Sequence, residues 1–194
     1  MKKSKFDSLE SDKLNLGCGQ FYKKGFVNVD SDARVNPDIL WNLDKIPYPF
    51  KDKSFSLITM DHVLEHVSDP FKVMKELHRI LKSNGVLAIR VPHASRGFTH
   101  PDHKRGFDVS FPLYFNPNYK AFYSGFSFKL EKMKLRWFAQ PYMKKLALKP
   151  YQYYSGRVID AILTPLANAS PYICSRIWCY WVGGFEEIEY ILRK

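Results

Sequence analysis

Cysteine is scarce and poorly placed for chemistry: the 194 residues hold three, Cys18, Cys174 and Cys179, with no C-x-x-C pair. An odd, unclustered set neither frames a disulfide scaffold nor holds zinc, so a reduced, cytoplasmic protein is expected. Long apolar runs are missing as well. The longest uncharged stretch, Ala161 to Ser175, contains Pro165 and Pro171 and falls short of the about 20 residues of a bilayer span. No transmembrane segment is expected. The start, MKKSKFDSLESDK, lacks the apolar core of a secretory signal and reads as a flexible tail over residues 1–12. Repeats and low-complexity tracts are absent. With 45% hydrophobic and 25% charged residues, residues 13–194 suffice for one domain with its own core, which excludes both disorder and a stapled mini-protein.

Acid is the other shortage. Nineteen acidic residues face thirty basic ones, a net +11. The excess gathers late, with Lys129, Lys132, Lys134, Arg136, Lys144, Lys145 and Lys149 opposed by Glu131 alone. A basic run of this kind is either a solvated face or a contact for RNA, an anionic lipid surface or a charged glycan.

What is present is an alternation of short apolar runs and helical patterns. Lys13–Leu16, Phe26–Asp30 and, more weakly, Asp38–Trp41 read as strands. Phe55–Met60 and Val86–Val91 are nearly continuous apolar runs, as parallel strands covered on both faces require. Between them lies a helix capped by Ser68 or Asp69, with Pro70 in its first turn and Asn84-Gly85 closing it. Phe71, Met74, Leu77 and Leu81 fall on its apolar face, so it is expected to cross over between parallel strands. Later, Phe128–Trp137 alternates apolar and charged residues like an edge strand, and Glu187–Leu192 repeats the pattern. Gly156–Asn168 and Pro171–Trp181 read as aromatic-rich helices covering one end of the sheet. The expected fold is α/β: a Rossmann-like, doubly wound, mostly parallel sheet with a helical, aromatic insertion before the last strand.

One constellation carries cofactor chemistry. The first strand runs into Gly17-Cys18-Gly19, and Asp30 ends the second. Glycines there allow close backbone approach to a ligand, and an acid after the second strand can accept both hydroxyls of a ribose. A dinucleotide would need Gly-x-Gly-x-x-Gly opening a helix to seat its pyrophosphate. Here the third position is Tyr22, and Gln20–Gly25 leave room for a turn or two at most.

The residues Asn15–Gly19, Gly25–Asp30, Leu43-Asp44, Pro49-Phe50, Ser54-Phe55, His62–His66 and Arg79–Lys82 with Asn84-Gly85 resemble, in order and spacing, the class I S-adenosylmethionine-dependent methyltransferases. The likeness is to a small branch with a shortened first connection and N-L-G-C-G and L-E-H motifs, and it runs from Leu14 to about Val91. It implies S-adenosylmethionine as cofactor and S-adenosylhomocysteine as product. Gly17, Cys18 and Gly19 would pass beneath the methionine part, and Asp30 would hold the ribose. Leu43 and Asp44 would bracket the adenine, with Asp44 accepting from its amine, while Met60, Asp61 and His62 would line the sulfonium end. Phe21 and Ser56 stand where many members carry glycine and aspartate.

Two histidine patterns compete or complete. His62-x-x-Glu65-His66 also fits the inverted zinc-protease signature, but it sits at an expected strand-to-helix junction and no metal is assigned. Beyond the fifth strand, His93, His100, Asp102 and His103 lie on a loop at the carboxyl edge of the sheet, where ligands bind in open α/β folds. Relatives commonly read D-P-T-H-K-R-x-F there, so His103 is the shared histidine and the first candidate base, with His93 second. A metal held by His93, His100 and His103, or a purely loop-ordering role, are the alternatives. Residues 93–127 and 138–184 are the expected acceptor-side segments. Transfer to an oxygen or nitrogen of a small molecule or glycan is the expected function, with an RNA methyltransferase or an inactive cofactor-binding protein as alternatives. Peripheral membrane contact stays open, and no oligomeric state is implied.

Overall fold

The computed structural model describes residues 11–96, 100–120 and 122–194. Most of the expected tail, residues 1–10, lies outside them. Ser11 and Asp12 already belong to the body: Ser11 Oγ donates to the Gly25 carbonyl at 2.6 Å, and Asp12 pairs with Lys82 at 2.9 Å.

Seven strands form one sheet in the order β3-β2-β1-β4-β5-β7-β6. They are β1 (Lys13–Leu16), β2 (Val27–Asp30), β3 (Ile39–Leu40), β4 (Phe55–Asp61), β5 (Leu81–Pro92), β6 (Lys129–Arg136) and β7 (Glu187–Arg193). The first five pair in parallel, and β7 enters antiparallel between β5 and β6. The two apolar runs are the sheet centre, as their composition requires: Ile58 and Met60 on β4, and Leu87, Ile89 and Val91 on β5, are fully buried. The alternating run at the C-terminus differs from expectation. β7 is hydrogen-bonded on both edges inside the sheet, with Glu187, Ile188, Tyr190 and Leu192 buried, and β6 is the solvated edge on that side.

Helix α1 (Pro70–Ile80) is the crossover between β4 and β5. Asp69 caps it, accepting from Phe71 N and Lys72 N at 3.0 and 3.1 Å, with Pro70 supplying the preset first turn. Its buried row is Val73, Met74, Leu77 and Ile80, and each such side chain is worth about 1.5–3 kcal/mol of transfer from water. Phe71 instead stays partly exposed against the rings of Phe111 and Tyr114. The helix ends at Ile80, earlier than Asn84-Gly85, because Leu81 is drawn into the sheet opposite Phe55.

No helix covers the sheet between β5 and β6 among the described residues. An aromatic plug does so: Phe107, Phe111, Phe115 and Phe126 pack ring on ring at 4.9 to 5.4 Å around a single 3-10 turn, with Phe111 against Tyr190 of β7. After β6 come α2 (Pro141–Ala147), α3 (Pro150–Ala169) and α4 (Pro171–Arg176), the first of which has no counterpart in the sequence-based reading. Helix α3 docks on the edge strand through side-chain bonds to backbone, Asn168 Oδ1 accepting from Leu135 N at 2.9 Å and Asp160 Oδ1 from Phe138 N at 3.1 Å.

Candidate active site

The turn after β1 is a cradle only glycine can make. Gly17 has φ +62°, and a Cβ on it would lie 2.2 Å from a methyl carbon of Val63. Gly19 has φ +48° with open space where its side chain would be. Asp30, ending β2, accepts from Gly19 N at 2.8 Å and Asp32 N at 2.9 Å, which holds the carboxylate beside the cradle. Beneath it a pair of buried asparagines replaces the helix that the short first connection has no room for. Asn15 Nδ2 donates to Asn28 Oδ1 at 2.9 Å and to the Phe21 carbonyl at 3.2 Å, and Asn28 exchanges bonds with the backbone of Lys23. This accounts physically for the N-L-G-C-G and G-x-x-N-V-D patterns.

Two adjoining cavities open at the carboxyl edge of the sheet. The first, about 400 Å³, is lined by Gly17, Cys18, Asp61, His62, Tyr142 and Glu187 among others. Its wall alternates cations and anions: Lys23 pairs with Asp61 at 3.1 Å, and Arg136 with Glu187 at 3.4 Å. Such a wall suits a ligand carrying both an ammonium and a carboxylate. The second, about 420 Å³, is lined by His62, His66, His100, His103, Met143 and Lys144 among others. His62 and Gln140 border both.

His62 is therefore the hinge of the site. It leaves β4 at φ +54°, with Nε2 donating to Glu187 Oε2 at 2.8 Å and Nδ1 paired with Glu65 Oε1 at 3.4 Å. Burial opposes its charge, but the hydrogen bond to Glu187 and the nearby Glu65 carboxylate outweigh that and raise its pKa to about 9, so it is a cation at neutral pH. Glu65 is fully buried, and neither of its carboxylate oxygens has a hydrogen-bond partner among the described residues. His103 Nε2 lies 3.9 Å from it, and the His103 ring packs against His66 and His100 at 4.9 and 4.8 Å.

Glu65, His66 and His103 place one ligand atom each within 4.8 Å of one another and could take a divalent cation. The zinc-protease geometry is not there, however: residues 62–66 form turns, not a helix, and His62 spends its nitrogens on Glu187 and Glu65.

Some sequence-assigned residues fall elsewhere. His93 is 1% exposed and lines neither cavity; its Nε2 meets Ser175 Oγ and its Nδ1 meets Ser95 Oγ, both at 2.8 Å. Burial pushes its pKa down to about 4. It is a neutral structural histidine, which removes it as second base and separates it from His100 and His103 as a ligand set. Met60 is fully buried in the core and lines neither cavity. Leu43 is buried, both carboxylate oxygens of Asp44 accept from Ser68, at 2.8 and 3.0 Å, and neither residue lines either cavity. Glu187, Arg136 and Tyr142 line the first cavity without having been singled out, because nothing local marks them. The register that sets Glu187 between Pro92 and Arg136 brings it there.

The strand order and the parallel pairing of β1 to β5 are those of the class I S-adenosylmethionine-dependent methyltransferase fold. Residues 26–89 match the family model described as a methyltransferase domain. A S-adenosylmethionine-dependent methyltransferase from Archaeoglobus fulgidus superposes with a TM-score of 0.56 at 16% identity, covering 94% of this chain and 85% of that one. A 2-phytyl-1,4-naphtoquinone methyltransferase of Nostoc sp. is 41% identical over 54 residues, 27% of this chain and 24% of the relative. A ubiquinone/menaquinone biosynthesis C-methyltransferase of Pseudoalteromonas translucida is 29% identical over 96 residues, 50% and 33% respectively. The chain thus covers a third or less of either curated relative.

Proposed function

We propose that the protein transfers the methyl group of S-adenosylmethionine to a small-molecule acceptor seated in the histidine-lined cavity. The observation that carries this is the sharing of His62 by the glycine-cradle cavity and the histidine-lined one, which puts a donor and an acceptor on either side of one residue. The cofactor supplies an electrophilic methyl carbon on a sulfonium sulfur. Gly17, Cys18 and Gly19 would support its methionine part, and Asp30 would take the ribose hydroxyls. Asp61 and His62 would flank the sulfonium end, with Leu43 and Asp44 toward the adenine. For a hydroxyl acceptor, His103 would take the proton that the acceptor oxygen loses on gaining the methyl group. The buried Glu65 then faces the imidazolium and stabilises it.

The acceptor class does not transfer from the curated relatives, named for quinones, since the family match ends at residue 89 and Pro92, His100, His103, Gln140, Met143 and Lys144 of the second cavity lie beyond it. A glycan or other small hydroxyl compound fits this reading. RNA is less well supported, since Arg136 and Lys144 of the basic run are consumed by Glu187 and Glu186.

S-adenosylhomocysteine at a hundredfold excess over its dissociation constant should stabilise the fold by about 2.7 kcal/mol, and NAD should not. Absence of any shift with adenosyl ligands would reject the reading. His103→Ala should cut turnover by about 10²–10⁴ with cofactor affinity unchanged, whereas parental turnover would remove His103 as base.

A further inference from the structure

Helix α3 is amphipathic in the wrong sense for a helix that ends its packing at this chain. Its inward row is small and polar: Gly156 lies against the Phe138 ring, Asp160 and Thr164 accept from Phe138 N and Trp137 N, and Asn168 exchanges two bonds with Leu135. Its outward row is Tyr151, Tyr154, Val158, Ile162 and Leu166, every one more than half exposed. The neighbouring helices continue the pattern. Leu146 of α2 is 90% exposed, and Tyr172, Ile173, Ile177, Tyr180 and Trp181 in and after α4 are more than half exposed, Trp181 to 81%. Patches of this extent mark a surface that something covers.

The charges say what covers it. From residue 140 to 184 the chain has five basic residues and one acid, Asp160, which is turned inward; Lys144 pairs with Glu186 and Arg176 with Asp108, which leaves Lys145, Lys149 and Arg157 as the cations beside the apolar rows. Apolar rows flanked by Lys and Arg, with Tyr and Trp among them, match the anionic headgroup and acyl layers of a bilayer surface. A two-fold contact between copies would set these cations against themselves, and the aliphatic outward row of α3 offers nucleic acid no charge. Among the described residues no helix is long and apolar enough to cross a membrane, so the element lies on the surface.

We propose that α2, α3 and α4 form an interfacial platform that docks the protein on anionic phospholipid. The platform borders the active site: Tyr142 of α2 lines the first cavity and Met143 and Lys144 the second. On the proposed methyl transfer, which this extends, the acceptor would be an amphiphile drawn from the lipid layer.

Vesicles of mixed phosphatidylglycerol and phosphatidylcholine test the platform without any acceptor. The full chain should co-sediment with them, more weakly with phosphatidylcholine alone, and Trp181 emission should shift to the blue. Val158→Asp with Ile162→Asp should weaken vesicle binding at least tenfold while leaving the melting temperature and the S-adenosylhomocysteine shift at parental values. That shift reads the cofactor site separately, so the two proposals fail independently. Failure to bind any vesicle would overturn the platform, as would a stable dimer that the same double variant splits. Capture of a single-stranded RNA oligonucleotide in place of vesicles would do the same.

Discussion

The cofactor-side half and the α2–α4 segment use the same residue types in opposite senses. Around β1, β2 and β4 the aliphatic side chains are buried and the polar groups are paired internally, as Asn15, Asn28 and Thr59 show. In α3 the polar row faces the protein and the aliphatic row faces out. The first half contributes its aliphatic side chains to the common core. The second is tied to the edge strand by hydrogen bonds and to the core through Ala167, Cys174 and Cys179, and it leaves its outward apolar row exposed. The fold therefore tolerates change on one side that it would not survive on the other.

The largest expected effect is a charge in the first half. Val29→Asp puts an unpaired carboxylate at a fully buried site in β2 and should cost more than about 4 kcal/mol, enough to abolish expression of folded protein. A native-like melting curve would show that the cofactor side is looser than its packing.

Next comes the pH dependence set by two histidines. His93, with its pKa lowered to about 4 by burial, stays neutral while the unfolded chain takes up a proton below 6.5, so its contribution falls as pH drops from 6.5 through about 4. The full span is about 3 kcal/mol. His62, raised to about 9, acts in the other direction: its contribution is complete below 6.5 and is lost as pH climbs through about 9. Stability in urea should therefore peak near the ordinary histidine range. His93→Gln should flatten the acid limb alone, and an unchanged acid limb would show that His93 is not buried in solution.

Gly17→Ala should cost about 1–3 kcal/mol, from positive φ and from the approach to Val63, and should weaken S-adenosylhomocysteine binding more than Gly19→Ala, whose Cβ meets open space. Equal losses would mean that the cradle is not shaped by the Val63 contact. The smallest effect closes the comparison. Val158→Asp, the same substitution as in β2 but at an outward site of α3, should alter stability by no more than about 0.5 kcal/mol in the absence of lipid. A large loss would place that face against protein instead.

The short range of the interactions decided what could be read in advance. Strands β4 and β5, the Asp69-Pro70 cap and the Gly17–Gly19 turn are written in neighbouring residues, because burial on both faces, capping and positive φ each act over a few positions. The roles of histidines were less legible. His93 and His103 lie in one loop-forming stretch with similar composition, yet one is closed in by Ser95 and Ser175 and the other stands beside Glu65. Distance along the chain hid Glu187 as well, since its place depends on which strand β7 inserts between.

From the sequence alone followed the alternating α/β order and the shortened first connection with its glycine turn and acidic partner. These depend on residue type and spacing, which local sterics and hydrophobic periodicity translate directly. Only the tertiary structure decided that β7 runs through the sheet interior, that His62 joins two cavities between Glu65 and Glu187, and that α3 turns its apolar row outward. The physical reason is that burial and pairing belong to contacts between distant segments. A helical stripe of Tyr, Val, Ile and Leu looks the same in sequence whichever side of it the rest of the chain packs against.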